Sequence, residues 1–314
     1  MNALLEPRCA WCGAAARQCD GRLAACDTCG AATTYPPPDE AELRAAYAGS
    51  YRPASGRFSS GGDRLLRYTR GLLAGRLDGL APPGPILDVG CGEGALLEAL
   101  ISRGRVAVGL EQGEQAARTR LDVRDTEIVD FHERPGGWAA VVFWHSLEHL
   151  REPRAALRRA CSLLAPSGLL IVAVPNRASW QASWLGSRWL ALDLPRHLVH
   201  LPAGALLDGM RECGLTIDRI SYWRGGQVVF GWTDGLVSML PGRPSLYDAV
   251  RQPEARATAI SGSRRAITLV AGAALAPVAT VLSAAEIAAR AGGSVYVEAR
   301  RPGIHDGRPL VASG

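Results

Sequence analysis

Pro85-Ile86-Leu87-Asp88-Val89-Gly90-Cys91-Gly92-Glu93-Gly94-Ala95-Leu96-Leu97-Glu98-Ala99-Leu100 is the stretch that decides the fold. The short apolar run from Pro85 to Val89 reads as a buried strand. Three alternating glycines then turn the chain, and Ala95 to Leu100 has the composition of a helix. Strand, glycine loop and helix together let a ligand approach bare backbone at a helix N-terminus. Two details narrow the ligand. The spacing is G-x-G-x-G, whereas a dinucleotide site prefers G-x-G-x-x-G to clear a pyrophosphate, and Asp88 stands two residues ahead of the first glycine. A carboxylate there suits a cationic ligand without phosphate.

Outward from this loop, Val106 to Leu110 is a second strand ending in Glu111, 23 residues beyond Asp88. An acid in that position can accept hydrogen bonds from both hydroxyls of a ribose. A short third strand is expected near Glu127 to Val129. A fourth ends at Trp144-His145, and a fifth follows Leu164-Ala165-Pro166-Ser167-Gly168. A helix is expected over Ala203 to Glu212, and Ser294 to Ala299 is expected to be the last strand. The alternation of strand and helix makes this an α/β, doubly wound chain with a mostly parallel, Rossmann-like sheet.

The runs ILDVGCGEG from Ile86, VGLEQ from Val108, and AAVVFWHSLEHLREPRAALRRACSLLAPSGLLIVAVPN from Ala139 resemble the class I S-adenosylmethionine-dependent methyltransferases. The resemblance covers Ile86 to Asn176. It implies a seven-stranded sheet with a reversed final hairpin. It also implies that Asp88, Gly90, Cys91, Gly92 and Gly94 bind S-adenosylmethionine, with Glu111 on the ribose. Asp130 would lie by the adenine, and Trp144 and His145 beside the cofactor. Two positions depart from the family pattern: Trp138-Ala139 begins the fourth strand, and Pro166-Ser167-Gly168 replaces the usual PGG. Tyr47 and Tyr51 stand where related proteins cover the cofactor.

Upstream, Cys9-x2-Cys12 and Cys26-x2-Cys29 are separated by 13 residues, and each pair is followed by a glycine, Gly13 or Gly30. Two thiolates two residues apart grip one tetrahedral ion from a tight turn, and the glycine permits the positive φ that such knuckles need. Residues 1–35 are therefore expected to be a knuckle closed by one structural zinc ion; a redox pair is the alternative. Cys19 is a bystander. Pro36-Pro37-Pro38 is a stiff linker. Residues 36–80 are expected to form a helical arm, with Asp39 as an N-cap, a break at Gly61-Gly62, and a second helix from Arg64 to Leu77.

The formal charge is +5 on 314 residues, and every one of the 35 basic residues is arginine. The arginines are scattered, so no nucleic-acid partner is expected. MNALLEPRC lacks the apolar core of a secretory signal, and the cysteines crowd locally, which predicts a cytoplasmic protein.

Methyl transfer to a hydroxyl or amine needs a group that manages the acceptor's proton, and histidine suits this at neutral pH. Four of the six histidines are candidates: His145 and His149 after the fourth strand, and His197 and His200 in Pro195-Arg196-His197-Leu198-Val199-His200. Trp180, Trp184 and Trp189 are spaced to share one side of a helix, either as core or as the wall of an acceptor pocket. Residues 266–285 carry no charge and would be long enough to cross a bilayer, but Pro277 interrupts them and a sheet strand follows. A helical C-terminal cap is expected there, and shallow membrane contact is the alternative.

The expected organisation is a domain over 81–301 with insertions at 177–200 and 226–291, and a tail at 302–314. The expected activity is transfer of a methyl group from S-adenosylmethionine to a small-molecule, carrier-linked or lipid-linked acceptor. Oxygen is favoured over nitrogen or carbon, in sugar, polysaccharide or secondary-metabolite synthesis. The alternatives are a non-catalytic S-adenosylmethionine-binding sensor or scaffold, an NAD-dependent oxidoreductase, and a nucleic-acid methyltransferase.

Overall fold

The computed structural model describes residues 6–19, 21–48, 58, 60–113, 120–223, 226–257, 260–305 and 308–309. In chain order the strands are β1 (Arg17–Cys19), β2 (Leu23–Ala25), β3 (Ala32–Thr34), β4 (Ile86–Val89), β5 (Ala107–Glu111), β6 (Val123–Asp125), β7 (Trp138–Trp144), β8 (Leu164–Pro175), β9 (Val199–His200), β10 (Thr216–Ser221) and β11 (Ser294–Arg300). The described α-helices are α1 (Glu40–Tyr47), α2 (Ser60–Leu80), α3 (Ala95–Ile101), α4 (Pro153–Leu163), α5 (Trp180–Leu185), α6 (Ala203–Glu212), α7 (Gly226–Val237), α8 (Leu246–Val250) and α9 (Gly262–Ala288). The chain divides into two compact units. The first comprises Met1–Leu65, Pro175–Pro202 and Tyr222–Val295; the second comprises Leu66–Val174, Ala203–Ser221 and Tyr296–Gly314.

The second unit holds a seven-stranded sheet in the order β10-β11-β8-β7-β4-β5-β6. β4 pairs in parallel with both β5 and β7, β5 with β6, and β7 with β8, whereas β10 and β11 are antiparallel. The chain thus steps outward from β4 through β6, then returns to the other side of β4 for β7 and β8. That reversal makes the carboxyl end of β4 the crevice of a doubly wound sheet. The strands are continuous apolar runs because both faces are covered: Val141, Val142 and Phe143, and Leu169 to Ala173, have no exposed surface. Helices α2 and α3 contribute Leu73, Leu77 and Leu97 to the same core as Ile86, Val142 and Ile171. Glu298 on β11 is buried, accepting from Nη2 of the exposed Arg76 of α2 at 2.7 Å and from the buried Tyr296 Oη at 2.6 Å.

In the first unit the N-terminal hairpin extends into a four-stranded sheet, β1-β2-β3-β9, in which Ala32 pairs with His200 and Thr33 with Val199. The helical remainder packs Leu185, Trp189, Val228, Trp232 and Ala279 together. At its centre Glu286 is fully buried. It accepts from Gln181 N at 2.9 Å and from Trp232 Nε1 at 2.9 Å, and burial holds its carboxyl above the ordinary range.

Several local expectations hold. Asp39 caps α1, its Oδ1 accepting from Glu42 N at 2.7 Å, and α6 spans Ala203–Glu212 as read. Others shift. The third strand is Val123–Asp125, because Gly109, Leu110 and Glu111 pair with those residues; Ile128–Asp130 instead winds into a 3-10 turn that buries Ile128. Gly61-Gly62 does not break the arm, since α2 starts at Ser60. Gly62 serves a close approach instead: a Cβ there would lie 2.5 Å from Phe58 Cβ. Pro277 does not interrupt α9. It and Ala273 both lie on the exposed side, so the carbonyl that loses its donor is outside the packed face. Trp189 is not on the helix of Trp180 and Trp184, because the chain leaves α5 at Gly186 with φ 52°. In the tail, Ile304–His305 pairs with Arg308–Pro309.

Candidate functional site

The glycine loop sits at the crevice of the sheet, between β4 and α3. Gly90, Gly92 and Gly94 have φ of 75°, 59° and 81°, the left-handed region that a side chain resists. Gly90 is doubly constrained, because a Cβ there would stand 2.5 Å from Ser146 Cβ at the end of β7. The loop folds back on β5: Gly90 N and Cys91 N donate to Leu110 O at 2.8 and 3.1 Å. Cys91 packs its sulfur over Gly109, where a Cβ would come within 2.5 Å of it. Glu111 ends β5 with its carboxylate turned to the loop. Its Oε2 accepts from Gly92 N at 2.7 Å, and its Oε1 from Gln112 N at 3.1 Å.

Asp88 is 3% exposed at the root of the loop. Burial pushes its carboxyl up to about 7; the Arg70 guanidinium pulls the other way, and Glu111 adds to the rise. The loop therefore presents bare backbone, a latching carboxylate and a second carboxylate poised near neutrality. That combination fits an uncharged ribose and a cationic tail.

The end of β7 supplies the other wall. Arg70 lies 4.8 Å from the centroid of the Trp144 ring, and Tyr296 meets the same ring edge-on at 6.2 Å. His145 follows with φ 55°, a strained conformation of the kind that persists where function demands it. Its Nδ1 is 3.3 Å from Oε1 of Glu148, which is 2% exposed. His149 is half-buried in the 3-10 turn Leu147–His149, and Asp130 is exposed at the end of the turn after β6. Asp88, the glycines, Glu111, Trp144 and His145 thus belong to one crevice of the second unit. Arg70 and Glu148 were not among the expected site residues. Glu148 has a faint signal, three residues after His145; Arg70 has none, because only helix packing brings α2 to Trp144.

His197 and His200 belong to the first unit. His197 Nδ1 is 2.8 Å from Ala191 O, and its Nε2 is 3.7 Å from Asp193 Oδ2. His200 is 3% exposed, with Nε2 3.3 Å from Thr34 Oγ1. Burial pushes its basicity down to about 3, helped by His197 and Arg177. Tyr47 ends α1, and Tyr51 lies outside the described residues.

The cysteine knuckles are two copies of one turn. Gly13 N donates to Cys9 O and Gly30 N to Cys26 O, both at 2.9 Å, and the two glycines have φ of 76° and 73°. All four sulfurs lie within 4.8 Å of one another, with Cys9–Cys29 at 3.6 Å and Cys12–Cys26 at 3.5 Å. A tetrahedron with Zn–S of about 2.3 Å has edges of roughly 3.8 Å, so the sulfurs fit that ion. Cys19 stands apart, bonded to Leu23 O.

A family profile described as "Methyltransferase domain" matches residues 63–220. The chain is 28% identical over 153 residues to a protein named ubiquinone biosynthesis O-methyltransferase from Xanthomonas euvesicatoria pv. vesicatoria, covering 43% of this chain and 64% of that protein. It is 31% identical over 132 residues to the protein of that name from Xanthomonas campestris pv. campestris, covering 38% of this chain and 55% of that one. The match thus spans less than two thirds of these relatives' own length. Among solved structures, a SAM-dependent methyltransferase from Archaeoglobus fulgidus is similar at 16% identity and a TM-score of 0.48, over 74% of this chain and 94% of that one.

Proposed function

Since this chain belongs to the class I S-adenosylmethionine-dependent methyltransferase family, we propose that it moves a methyl group from S-adenosylmethionine to an oxygen of a small or lipid-linked acceptor. The observation that carries this reading is the Glu111 carboxylate held 2.7 Å from Gly92 N at the crevice of the sheet. In that place it accepts hydrogen bonds from the ribose hydroxyls, while Gly90 and Gly92 leave room for the ligand against bare backbone. Asp88 supplies negative charge for the cationic amino-acid end, and Trp144 forms an apolar wall beside it. When bound, S-adenosylmethionine supplies a methyl group made electrophilic by its sulfonium.

The remaining work is positioning and proton transfer. His145 Nδ1 stands 3.3 Å from Oε1 of Glu148; with the ring proton on Nδ1, drawn there by that carboxylate, the lone pair lies on Nε2. Nε2 would take the proton of the acceptor hydroxyl, while the sulfonium carbon–sulfur bond that gives up the methyl group leaves its electron pair on a neutral thioether. Glu148 fixes the tautomer and steadies the imidazolium, as the acid of a His–carboxylate pair does. His200 is a poor base at neutral pH, and His197 is held by Ala191 and Asp193; both are assigned to supporting the first unit. The relatives' name records oxygen as the acceptor atom, which supports the same choice here. Cys9, Cys12, Cys26 and Cys29 hold one structural zinc ion that folds a segment too short to form its own core.

Titration calorimetry with S-adenosylmethionine and, separately, NADH tests the reading. Micromolar affinity for the first and none for the second is expected. A folded sample that binds only NADH would put the chain among oxidoreductases instead. His145→Gln should retain cofactor affinity and lose turnover; retained turnover would remove His145 from the mechanism.

A further inference from the structure

Helix α9 is built inside out. Its buried stripe is small or polar: Thr268, Gly272, Ser283 and Glu286. The hydroxyls of Thr268 and Ser283 return to Arg264 O and Ala279 O at 2.8 and 2.7 Å, and Glu286 takes its donors from α5 and α7. The opposite side carries Ile267, Val270, Val278 and Val281, which are 50–70% exposed. Positions 267, 270, 274, 278, 281 and 285 return to one side of a helix, so the exposed surface is a continuous apolar face. It runs along a helix of 27 residues, roughly 40 Å long. The most apolar window of that helix has a mean hydropathy of 2.0 and is only 22% buried, whereas the core helix of a water-soluble protein is mostly buried.

The exposed charge of residues 226–290 is predominantly basic. Arg243, Arg264 and Arg290 are exposed, while of the acids in 226–290 Asp234, Asp248 and Glu286 are buried and only Glu254 is exposed. Trp223 and Met239 add exposed apolar surface in the same unit. A second copy of the chain is a poor occupant, because a two-fold contact would bring arginine rims together. Crossing a bilayer would tear Glu286 from its donors, and the chain enters β11 at Ser294, six residues after the helix ends.

We propose that α9 lies flat on an anionic phospholipid bilayer, with its valine and isoleucine face in the acyl boundary and Arg243, Arg264 and Arg290 against headgroup phosphates. The surface would bring the enzyme to an acceptor carried in a membrane, but the binding itself does not rest on the methyl-transfer reading.

Co-sedimentation of the full chain with vesicles tests it without any methyl donor, so its outcome is separate from that of the cofactor titration. The protein should pellet with vesicles of phosphatidylglycerol and phosphatidylcholine, and at least ~10-fold less with phosphatidylcholine alone. Val270→Glu with Val281→Glu should lower the partition at least ~30-fold, because a carboxylate is excluded from the acyl boundary. Both side chains are about 70% exposed, so the melting temperature should be unchanged. Arg264→Glu with Arg290→Glu should weaken binding to the anionic vesicles at least ~10-fold and abolish its salt dependence. The proposal is overturned by wild-type protein that stays in the supernatant with both vesicle types, or by valine variants that bind equally well. A dimer in light scattering that the valine variants dissolve would also overturn it and assign the face to self-association.

Discussion

Replacing Glu111 separates the ligand's contribution from the fold's. Its carboxylate accepts Gly92 N–H and Gln112 N–H and lies half-buried at the end of β5, so its removal leaves the sheet core untouched. In the proposed complex it would gain two ribose hydroxyls. Hydrogen bonds to a charged acceptor contribute about 1.5–3 kcal/mol each, and the low end applies because water reaches this position. Glu111→Ala therefore loses about 3 kcal/mol of binding, or roughly 150-fold in Kd. Glu111→Gln keeps one acceptor oxygen and should lose roughly tenfold. The loop hydrogen bond is worth about 1 kcal/mol to stability, so the alanine variant should melt only slightly below wild type. Calorimetry with S-adenosylmethionine, beside thermal melting, reads both effects. An alanine variant that melts normally and binds with wild-type affinity would refute the ribose assignment.

Asp88 predicts a pH dependence of binding. Its carboxyl is raised to about 7 in the free protein, so it is largely protonated below that pH, and a cationic ligand must then displace the proton. Kd should be flat above pH 7 and rise up to ~10-fold for each pH unit below it, until the carboxyl's pKa in the complex is reached. A Kd indifferent to pH between 5 and 8 in roughly constant salt would remove Asp88 from the site. Gly90→Ala should be destabilised by about 2–4 kcal/mol, combining left-handed strain with the 2.5 Å approach to Ser146 Cβ; a melting temperature unchanged from wild type would contradict that backbone. Chelation should release one zinc per chain and melt the hairpin β1–β3, seen as loss of amide-exchange protection there. Protection that survives complete metal loss would mean the knuckle folds without an ion. Glu286→Ala should cost about 3 kcal/mol or more by leaving Trp232 Nε1 and Gln181 N without their buried acceptor, read by denaturant melts; a loss under roughly 1 kcal/mol would show that water replaces it.

Much of the crevice was legible because its signals are local. A G-x-G-x-G run after an apolar strand leaves the chain few ways to turn, and Asp88 and Glu111 are located by strand ends rather than by distant packing. The Cys-x2-Cys-Gly repeats specify their own turns, and Asp39 caps α1 from a position next to it. The third strand, expected near Glu127 to Val129, was misplaced because so short a segment carries little periodicity, and only the register with Gly109 to Glu111 selects Val123–Asp125. Trp189 was assigned to a helix by spacing, which cannot anticipate a chain that turns away at Gly186.

By itself, then, the amino-acid order determined the strand–glycine–helix crevice, the two carboxylates at strand ends and the two cysteine knuckles, since each follows from φ, ψ and periodicity within a few residues. Tertiary structure alone decided that Arg70 faces Trp144, that β9 completes the hairpin sheet by pairing His200 with Ala32, and that α9 buries its polar residues and exposes its valines. Those outcomes depend on which surfaces meet across long stretches of chain. An apolar segment reads the same in sequence whether its partner is protein or lipid; which of its sides is covered depends on the helices packed against it.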